Sequence, residues 1–158
     1  MKDYAIIGRK KAGKTTLAKQ VARRIGAPLL VYDKNAEWGQ PLRPMPDFLE
    51  LARKARGRVI VIEDAGIFFS TTARHGALLD VLTAARHTKN TCILLFHSLR
   101  QVPLYVLEQL DGIYILPTRD LAGKVADRFE DWPDVVGAWK KVQARERKEP
   151  HPVEYVKL

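Results

Sequence analysis

The segment Gly8-Arg9-Lys10-Lys11-Ala12-Gly13-Lys14-Thr15 constrains this chain more than any other feature, because it matches the pattern G-x-x-x-x-G-K-S/T in full. An apolar run, Tyr4–Ile7, precedes it, and apolar residues at helical spacing follow it over residues 17–25. A strand, a glycine-rich loop and a helix in this order direct backbone N–H groups and a helix N-terminus at a phosphate. The sequence therefore predicts a binding site for a nucleoside triphosphate.

The residue types in this loop predict which groups contact the ligand. Lys14 is expected to reach the β- and γ-phosphates, and the Thr15 hydroxyl is expected to bind Mg²⁺. Thr16, the next residue, extends the set of phosphate contacts. The expected ligands are ATP and Mg²⁺.

Length and charge narrow the function further. The chain has 158 residues, which predicts one domain, with residues 131–158 as a basic C-terminal extension of it. The formal net charge of +9 favours a polyanionic partner, DNA and RNA first, although each basic cluster by itself is also typical of a solvated helix face. No apolar run approaches the ~20 residues of a transmembrane helix, and no signal peptide is recognisable, so we expect an intracellular protein without a membrane span.

Strands and helices alternate along the chain, which predicts an α/β fold with a parallel sheet and right-handed crossovers. Apolar, β-branched runs predict strands at residues 4–7, 28–32, 59–62, 91–96, 113–116 and 153–156. After the helix that follows the loop, the patterns predict five more helices, at residues 47–56, 77–85, 103–110, 118–129 and 135–147. Asp47 is the expected N-cap of the first of these five.

Polar side chains follow the predicted strands at their carboxyl ends, where open α/β sheets bind ligands. Asp33 follows the second strand, Glu63 and Asp64 follow the third, and His97 follows the fourth. One carboxylate of the Glu63-Asp64 pair would hold Mg²⁺ and the other would polarise the attacking water. By position alone, we assign Glu63 to the metal and Asp64 to the water.

Two further catalytic roles have more than one candidate. His97 is expected to sense the γ-phosphate, and Gln101 is the alternative. Arg86, at the end of the helix before the fourth strand, is a candidate arginine finger for the site of a neighbouring subunit, with Arg74 and Arg119 as competitors.

Four segments resemble motifs of the FtsK–HerA superfamily of P-loop motors, especially those of the genome-packaging ATPases of membrane-containing viruses. They follow one another in the same order as in that superfamily. Asp33–Trp38 is similar to the motif D-P-x-x-E-W/Y, and Val59–Asp64 is similar to an apolar strand followed by two acids. Ala84–His87 resembles the segment with the finger arginine, and Phe96–Pro103 resembles the sensor segment. This chain departs from the family in three places: Glu precedes Asp at 63–64, His97 stands where Gln is usual, and Lys34 replaces a proline.

The resemblance spans residues 4–120 and implies a RecA-like sheet with strand order 5-1-4-3-2. It also implies a homo-oligomeric ring of five or six subunits, with ATP between subunits and double-stranded DNA in a basic channel. The implied function is ATP-driven DNA translocation in viral genome packaging. The protein would then act in the host cytoplasm or at the packaging vertex of a virion.

Two alternatives remain open at the level of sequence. One is an ATPase of filamentous-phage export or conjugation, which belongs to the same superfamily. The other is a small-molecule or nucleotide kinase, in which Asp33 would hold an acceptor hydroxyl and Arg119 or Arg128 would belong to a lid over the phosphates.

Overall fold

The computed structural model describes residues 2–69 and 76–158, and in these residues six strands form one sheet. The strands are β1 (Tyr4–Ile7), β2 (Leu29–Tyr32), β3 (Val59–Ile62), β4 (Thr91–Phe96), β5 (Gly112–Ile115) and β6 (Glu154–Lys157). The α-helices are α1 (Lys14–Ile25), α2 (Met45–Lys54), α3 (Ala77–Thr88), α4 (Leu104–Leu107), α5 (Ala122–Arg128) and α6 (Pro133–Arg145).

The strand order is β2-β3-β4-β1-β5-β6, which confirms the predicted order 5-1-4-3-2 and adds β6 beyond β5. Strands β1 to β5 pair in parallel, with Ile7 opposite both Phe96 and Ile115. Strand β6 pairs antiparallel with β5. The carboxyl ends of β2, β3, β4 and β1 therefore meet side by side along one edge of the sheet.

Helices cover both faces of the sheet, and alternate residues of each strand serve the two faces. Ile6 and Ile93 belong to the core beneath α1, where Val21 packs. Leu94 and Phe96 belong to the opposite core, to which α2 to α6 all contribute side chains. Because helices lie on both sides, the middle strands β3 and β4 are buried along their whole length, as their continuous apolar sequences predicted.

The predicted helix over residues 118–129 is wrong in its first turn, because α5 begins only at Ala122. The reason is tertiary. The buried Thr118 hydroxyl accepts a hydrogen bond from Trp139 Nε1 at 2.9 Å, and its carbonyl accepts one from Gln143 Nε2 at 3.0 Å. These bonds to α6 hold the segment before Leu121 out of a helix.

Prolines set other helix ends differently from the prediction. Helix α2 begins at Met45, so Asp47 lies in its first turn and does not cap it, and α6 begins at Pro133 instead of residue 135. Proline is well suited to the first turn of a helix because its missing N–H would have no helical partner there. Helix α4 is shorter than predicted and ends at Leu107, and strand β6 lies one residue later than predicted.

No helix among residues 2–69 and 76–158 combines the length and the apolar character that crossing a membrane requires.

A small polar cluster lies at the amino end of the sheet, opposite the carboxyl edge. Asp3 is 2% exposed, and its Oδ1 accepts the backbone N–H of Cys92 at 2.6 Å. Its own N–H donates to Asp111 Oδ2 at 2.8 Å. Burial raises the pKa of Asp3 to about 6, although the hydrogen bond from Cys92 acts to lower it.

We expect Asp3→Asn to remove a pH dependence of stability. The unfolded carboxyl has the ordinary pKa of 3.8 and the folded one about 6, so the folded state binds the proton more tightly. The contribution of Asp3 to the free energy of unfolding is therefore largest at low pH and falls by about 3 kcal/mol as the pH rises from 4 through 6. Thermal denaturation from pH 4 to 8 measures this. Asp3→Asn should lack the fall, whereas Asp127→Asn, at an exposed position on α5, should keep it. An unchanged pH slope in Asp3→Asn would contradict the assignment.

Candidate nucleotide-binding site

The loop after β1 and the polar residues after β2, β3 and β4 lie around one cavity of about 690 Å³. Lys14, Thr15 and Thr16 line it from the loop and the start of α1, and the Glu63-Asp64 pair and His97 line it from the neighbouring strands. The strand order explains this convergence, because β2, β3, β4 and β1 are consecutive neighbours in the sheet.

The loop of residues 8–15 is tied to the sheet at its beginning. Gly8 N–H donates to the Phe96 carbonyl at 3.0 Å, and Arg9 N–H donates to the Pro117 carbonyl at 2.8 Å. A Cβ at Gly8 would lie 2.9 Å from Leu116 Cβ, too close for any larger residue without a shift. Gly13 has φ +96°, a left-handed conformation that glycine adopts without strain. The loop conformation thus depends on glycine at both positions.

The remaining loop residues have different surroundings. Lys10 and Lys11 are exposed and line the cavity, where their charges favour an anionic ligand. Ala12 is buried against the core beneath α1. Arg9 forms an ion pair with Glu146 just after α6, so the loop is also tied to the C-terminal segment.

The Lys14 side chain is 8% exposed, and its ammonium group lies within the site. Its Nζ donates to the Arg9 carbonyl at 3.2 Å and lies 3.3 Å from His97 Nδ1. Burial lowers the pKa of Lys14, and the nearby carboxylates of Glu63 and Asp64 act in the opposite direction.

His97 joins Lys14 to Asp64. An ammonium group can only donate, so Nδ1 of the imidazole must accept from Lys14, which places the ring proton on Nε2. Nε2 lies 2.6 Å from Asp64 Oδ1 and donates to it. Asp64 itself has φ 52°, so the chain turns sharply directly after Glu63 and directs the two adjacent carboxylates differently.

Glu63 is 8% exposed, and two side chains donate to its Oε1: Thr15 Oγ1 at 3.1 Å and Trp38 Nε1 at 2.8 Å. Burial raises the pKa of Glu63, and the hydrogen bonds from Trp38 and Thr15 oppose that shift. The carboxylate is therefore fixed next to the first turn of α1.

The Thr15 hydroxyl and the Glu63 carboxylate fit Mg²⁺. Both supply oxygen atoms, the ligands that this hard cation prefers. Adjacent ligands of an octahedral Mg²⁺ lie about 2.9 Å apart, and the two oxygens here are 3.1 Å apart. One small cation can thus contact both groups with little rearrangement.

Of the two candidate sensors, His97 lines the cavity with its ring, whereas Gln101 bonds to the backbone of His97. Gln101 Oε1 accepts the backbone N–H of His97 at 3.0 Å. Its side chain also packs beside Gly66, where an added Cβ would lie 3.2 Å from it. Gln101 thus positions the residue that lines the site.

The candidate finger arginines are widely separated. Arg86, at the end of α3, is exposed and lies 3.8 Å from Asp111, at the amino end of the sheet and away from the cavity. Arg119 lines a second cavity of about 470 Å³, which also includes Lys10 and His97. Arg74 lies outside the described residues.

Sequence reasoning missed the role of Trp38, although it noted the motif of residues 33–38. The Asp33 carboxylate accepts the N–H groups of Asn35 at 2.8 Å and Trp38 at 3.2 Å. These bonds fold the loop so that the Trp38 indole reaches Glu63. Trp38 and Glu63 are 25 residues apart in the sequence. They meet because the strands that precede them, β2 and β3, pair in the sheet.

The structure resembles solved structures of viral packaging enzymes over nearly its whole length. It matches the DNA-packaging ATPase B204 from Sulfolobus turreted icosahedral virus at 19% identity and a TM-score of 0.74, covering 99% of this chain and 92% of that chain. It matches the genome packaging NTPase B204 from Sulfolobus turreted icosahedral virus 2, in complex with ATP-γS, at 18% identity and a TM-score of 0.70, covering 99% of this chain and 97% of that one.

A third similar structure is the N-terminal domain of zonular occludens toxin from Neisseria meningitidis, at 13% identity and a TM-score of 0.57, covering 81% of this chain and 91% of that chain. No protein-family model and no curated protein matches the sequence. At these identities the likeness shows the fold, a P-loop NTPase sheet, and it agrees with the fold that the motifs predicted.

We expect Trp38→Phe to destabilise the protein by about 1.5 to 3 kcal/mol, because it removes a hydrogen bond to a buried carboxylate and keeps most of the ring. The pKa of Glu63 should rise further, since the lost bond favours its charged form. Chemical denaturation at pH 7 measures the first effect. Trp132→Phe makes the same truncation just before α6 and is the matched control. Equal effects of the two substitutions would show that the bond to Glu63 contributes nothing specific.

Proposed function

We propose that this protein is an ATPase that moves double-stranded DNA, and that it packages a viral genome. The observation that carries the proposal is the convergence of Lys14, Thr15, Glu63, Asp64 and His97 around one cavity at the carboxyl edge of a P-loop NTPase sheet. The likeness to two packaging enzymes, one of them solved with an ATP analogue, supports the choice of substrate and task.

The loop residues would bind the triphosphate. Backbone N–H groups of residues 13–16, at the N-terminus of α1, would face the phosphates, and Lys14 would place a buried positive charge beside them. On ATP binding, the Lys14 ammonium exchanges its contacts with Arg9 and His97 for phosphate oxygens. Mg²⁺ held through Thr15 and Glu63 would neutralise phosphate charge as it develops in the transition state.

The geometry supports a division of labour between the two acids. Glu63 bonds to Thr15 and so belongs to the metal side of the site. Asp64 also lines the cavity and bonds to His97, and we assign to it the orientation and polarisation of the attacking water. His97 contacts both Asp64 and Lys14, so departure of the γ-phosphate can be sensed through this one imidazole.

The kinase alternative fits the structure less well. Asp33 would have to hold an acceptor hydroxyl, but its two carboxylate oxygens bind the backbone of Asn35 and Trp38. Arg128 would have to close over phosphates, but it donates to the Val102 carbonyl at 2.9 Å and lies over Phe129. Asp33 and Arg128 thus both hold parts of the protein backbone in place, and neither is in the position that a kinase would require.

We further propose that the active form is a ring of five or six subunits and that Arg86 acts in the site of the neighbouring subunit. Arg86 cannot serve its own site, because it lies at the opposite edge of the sheet. It is exposed and its contact with Asp111 is long, so it is available to a neighbour. A repeated head-to-tail contact of this kind forms a ring when the rotation between subunits closes.

The charge of the chain supports DNA as the transported polymer. The net charge is +9, and exposed lysines such as Lys140 and Lys141 on α6 add to it. A ring with such subunits would attract the phosphate backbone into its channel without reading sequence. The site of action would be the capsid vertex through which a genome enters, inside the host cell.

Purified protein should hydrolyse ATP, and double-stranded DNA should stimulate hydrolysis at low salt because DNA binding releases counterions. Lys14→Ala should reduce the rate by about 100-fold or more, since it removes the charge next to the phosphates. Lys157→Ala, at the amino end of the sheet, is the matched control and should retain the rate. Hydrolysis indifferent to DNA would contradict translocation, and a rate unaffected by Lys14→Ala would contradict the site.

Mixing two inactive variants tests the finger in trans. Lys14→Ala and Arg86→Ala should each be inactive, and an equimolar mixture should recover up to about a quarter of wild-type activity, because sites pairing an intact Lys14 with an intact neighbouring Arg86 then form. The control mixture, Lys14→Ala with Glu63→Gln, should stay inactive, since both residues serve one site of one chain. An active Arg86→Ala variant would exclude Arg86, and the same mixing with Arg119→Ala would then identify Arg119 as the finger.

A further inference from the structure

A smaller cavity of about 260 Å³ adjoins the phosphate-binding cavity and shares three of its lining residues: Gly13, Thr16 and His151. It lies between α1 and the segment that leads into β6. None of the roles assigned above uses this cavity.

The walls of the smaller cavity are largely apolar. Leu17 lines it from α1, Leu116 from the end of β5, and Val153 from the segment before β6. Leu116 is buried, whereas Val153 is 38% exposed at the rim. A slot with apolar walls, open at one side, suits a flat ring with little charge.

The position of the slot matches the outline of a nucleotide. Lys14 and Thr15 mark the triphosphate in the large cavity, and Thr16 lies at the boundary between the two cavities. A ligand that extends from the phosphates past Gly13 and Thr16 therefore enters the slot.

His151 forms one side of the slot and is close to the loop. A Cβ added at Gly13 would lie 3.6 Å from His151 Nδ1. The segment around His151 is anchored on both sides: Arg9 pairs with Glu146, and Arg145 Nη2 donates to the Val153 carbonyl at 3.0 Å. Arg145 also pairs with Glu154 at 2.7 Å. These contacts fix the His151 imidazole at the side of the slot, next to the position that we assign to the base.

From this geometry we infer that the slot binds the base of the bound nucleotide, with His151 stacking on its face. Gln20, on α1, also lines the slot, and its carboxamide offers both a donor and an acceptor. Adenine presents the complementary pair on its N6 and N7 edge. Gln20 thus gives the slot its preference for adenine, whereas His151 supplies a stacking face that any base can use. The inference rests on the proposed function, because it requires the triphosphate to occupy the loop.

The test compares two probes, Mg²⁺-ATP and Mg²⁺-tripolyphosphate, by calorimetric titration of the full chain. Tripolyphosphate lacks the base, so it reports on the loop alone. We expect His151→Ala to weaken ATP binding about tenfold and to leave tripolyphosphate binding within about twofold of wild type, since base stacking on a side chain is lost. His151→Phe should restore ATP binding to within about threefold, because stacking needs only an aromatic face.

Controls separate the slot from the loop. His87→Ala, at an exposed histidine at the end of α3, should change neither affinity, and Lys14→Ala should weaken both. If the wild type binds ATP no more tightly than tripolyphosphate, or His151→Ala leaves ATP binding unchanged, the inference is wrong while the proposed function stands. Equal weakening of both probes by His151→Ala would also overturn it, because His151 would then act on the phosphates. If the wild type binds neither probe, the proposed function itself fails.

Discussion

The buried ammonium group of Lys14 is the constraint on which the rest of the site depends. An ammonium group in a poorly solvated place needs partners, and here the loop itself supplies the Arg9 carbonyl while His97 supplies an acceptor nitrogen. The need for an acceptor places the proton of His97 on the other nitrogen, which in turn orients Asp64. A single buried charge thus links groups that follow β1, β3 and β4.

The second feature of the site is the contribution of the C-terminal segment. Its sequence contains no recognisable motif, yet Glu146 pairs with Arg9 in the phosphate loop and His151 lies over Gly13. The antiparallel strand β6 makes this possible, because it returns the chain alongside β5 and next to the loop. Glu146 and His151 therefore place the C-terminal segment against the loop and the cavity that we propose as the nucleotide site.

The sequence predicts the structure well where neighbouring residues determine the conformation, and poorly where a contact with a residue far away in the chain determines it. The strands β3 and β4 follow from runs of buried apolar residues, and the loop follows from its glycines. The first turn of the predicted helix over residues 118–129 failed, because Thr118 bonds to Trp139 on α6. The role of Trp38 was missed for the same reason, since its partner Glu63 lies on another strand.

By itself the sequence determined the strand and helix types, the phosphate loop and the acids at the strand ends, because periodicity and motif spacing are properties of neighbouring residues. Only the tertiary structure decided which of these groups meet. The turn between Glu63 and Asp64 lets the first bond to Thr15 and the second to His97. The fold also joins Gln101 to the backbone of His97 and places Arg86 at the amino end of the sheet. The physical reason is that such contacts depend on strand order and register, which join residues far apart in the chain.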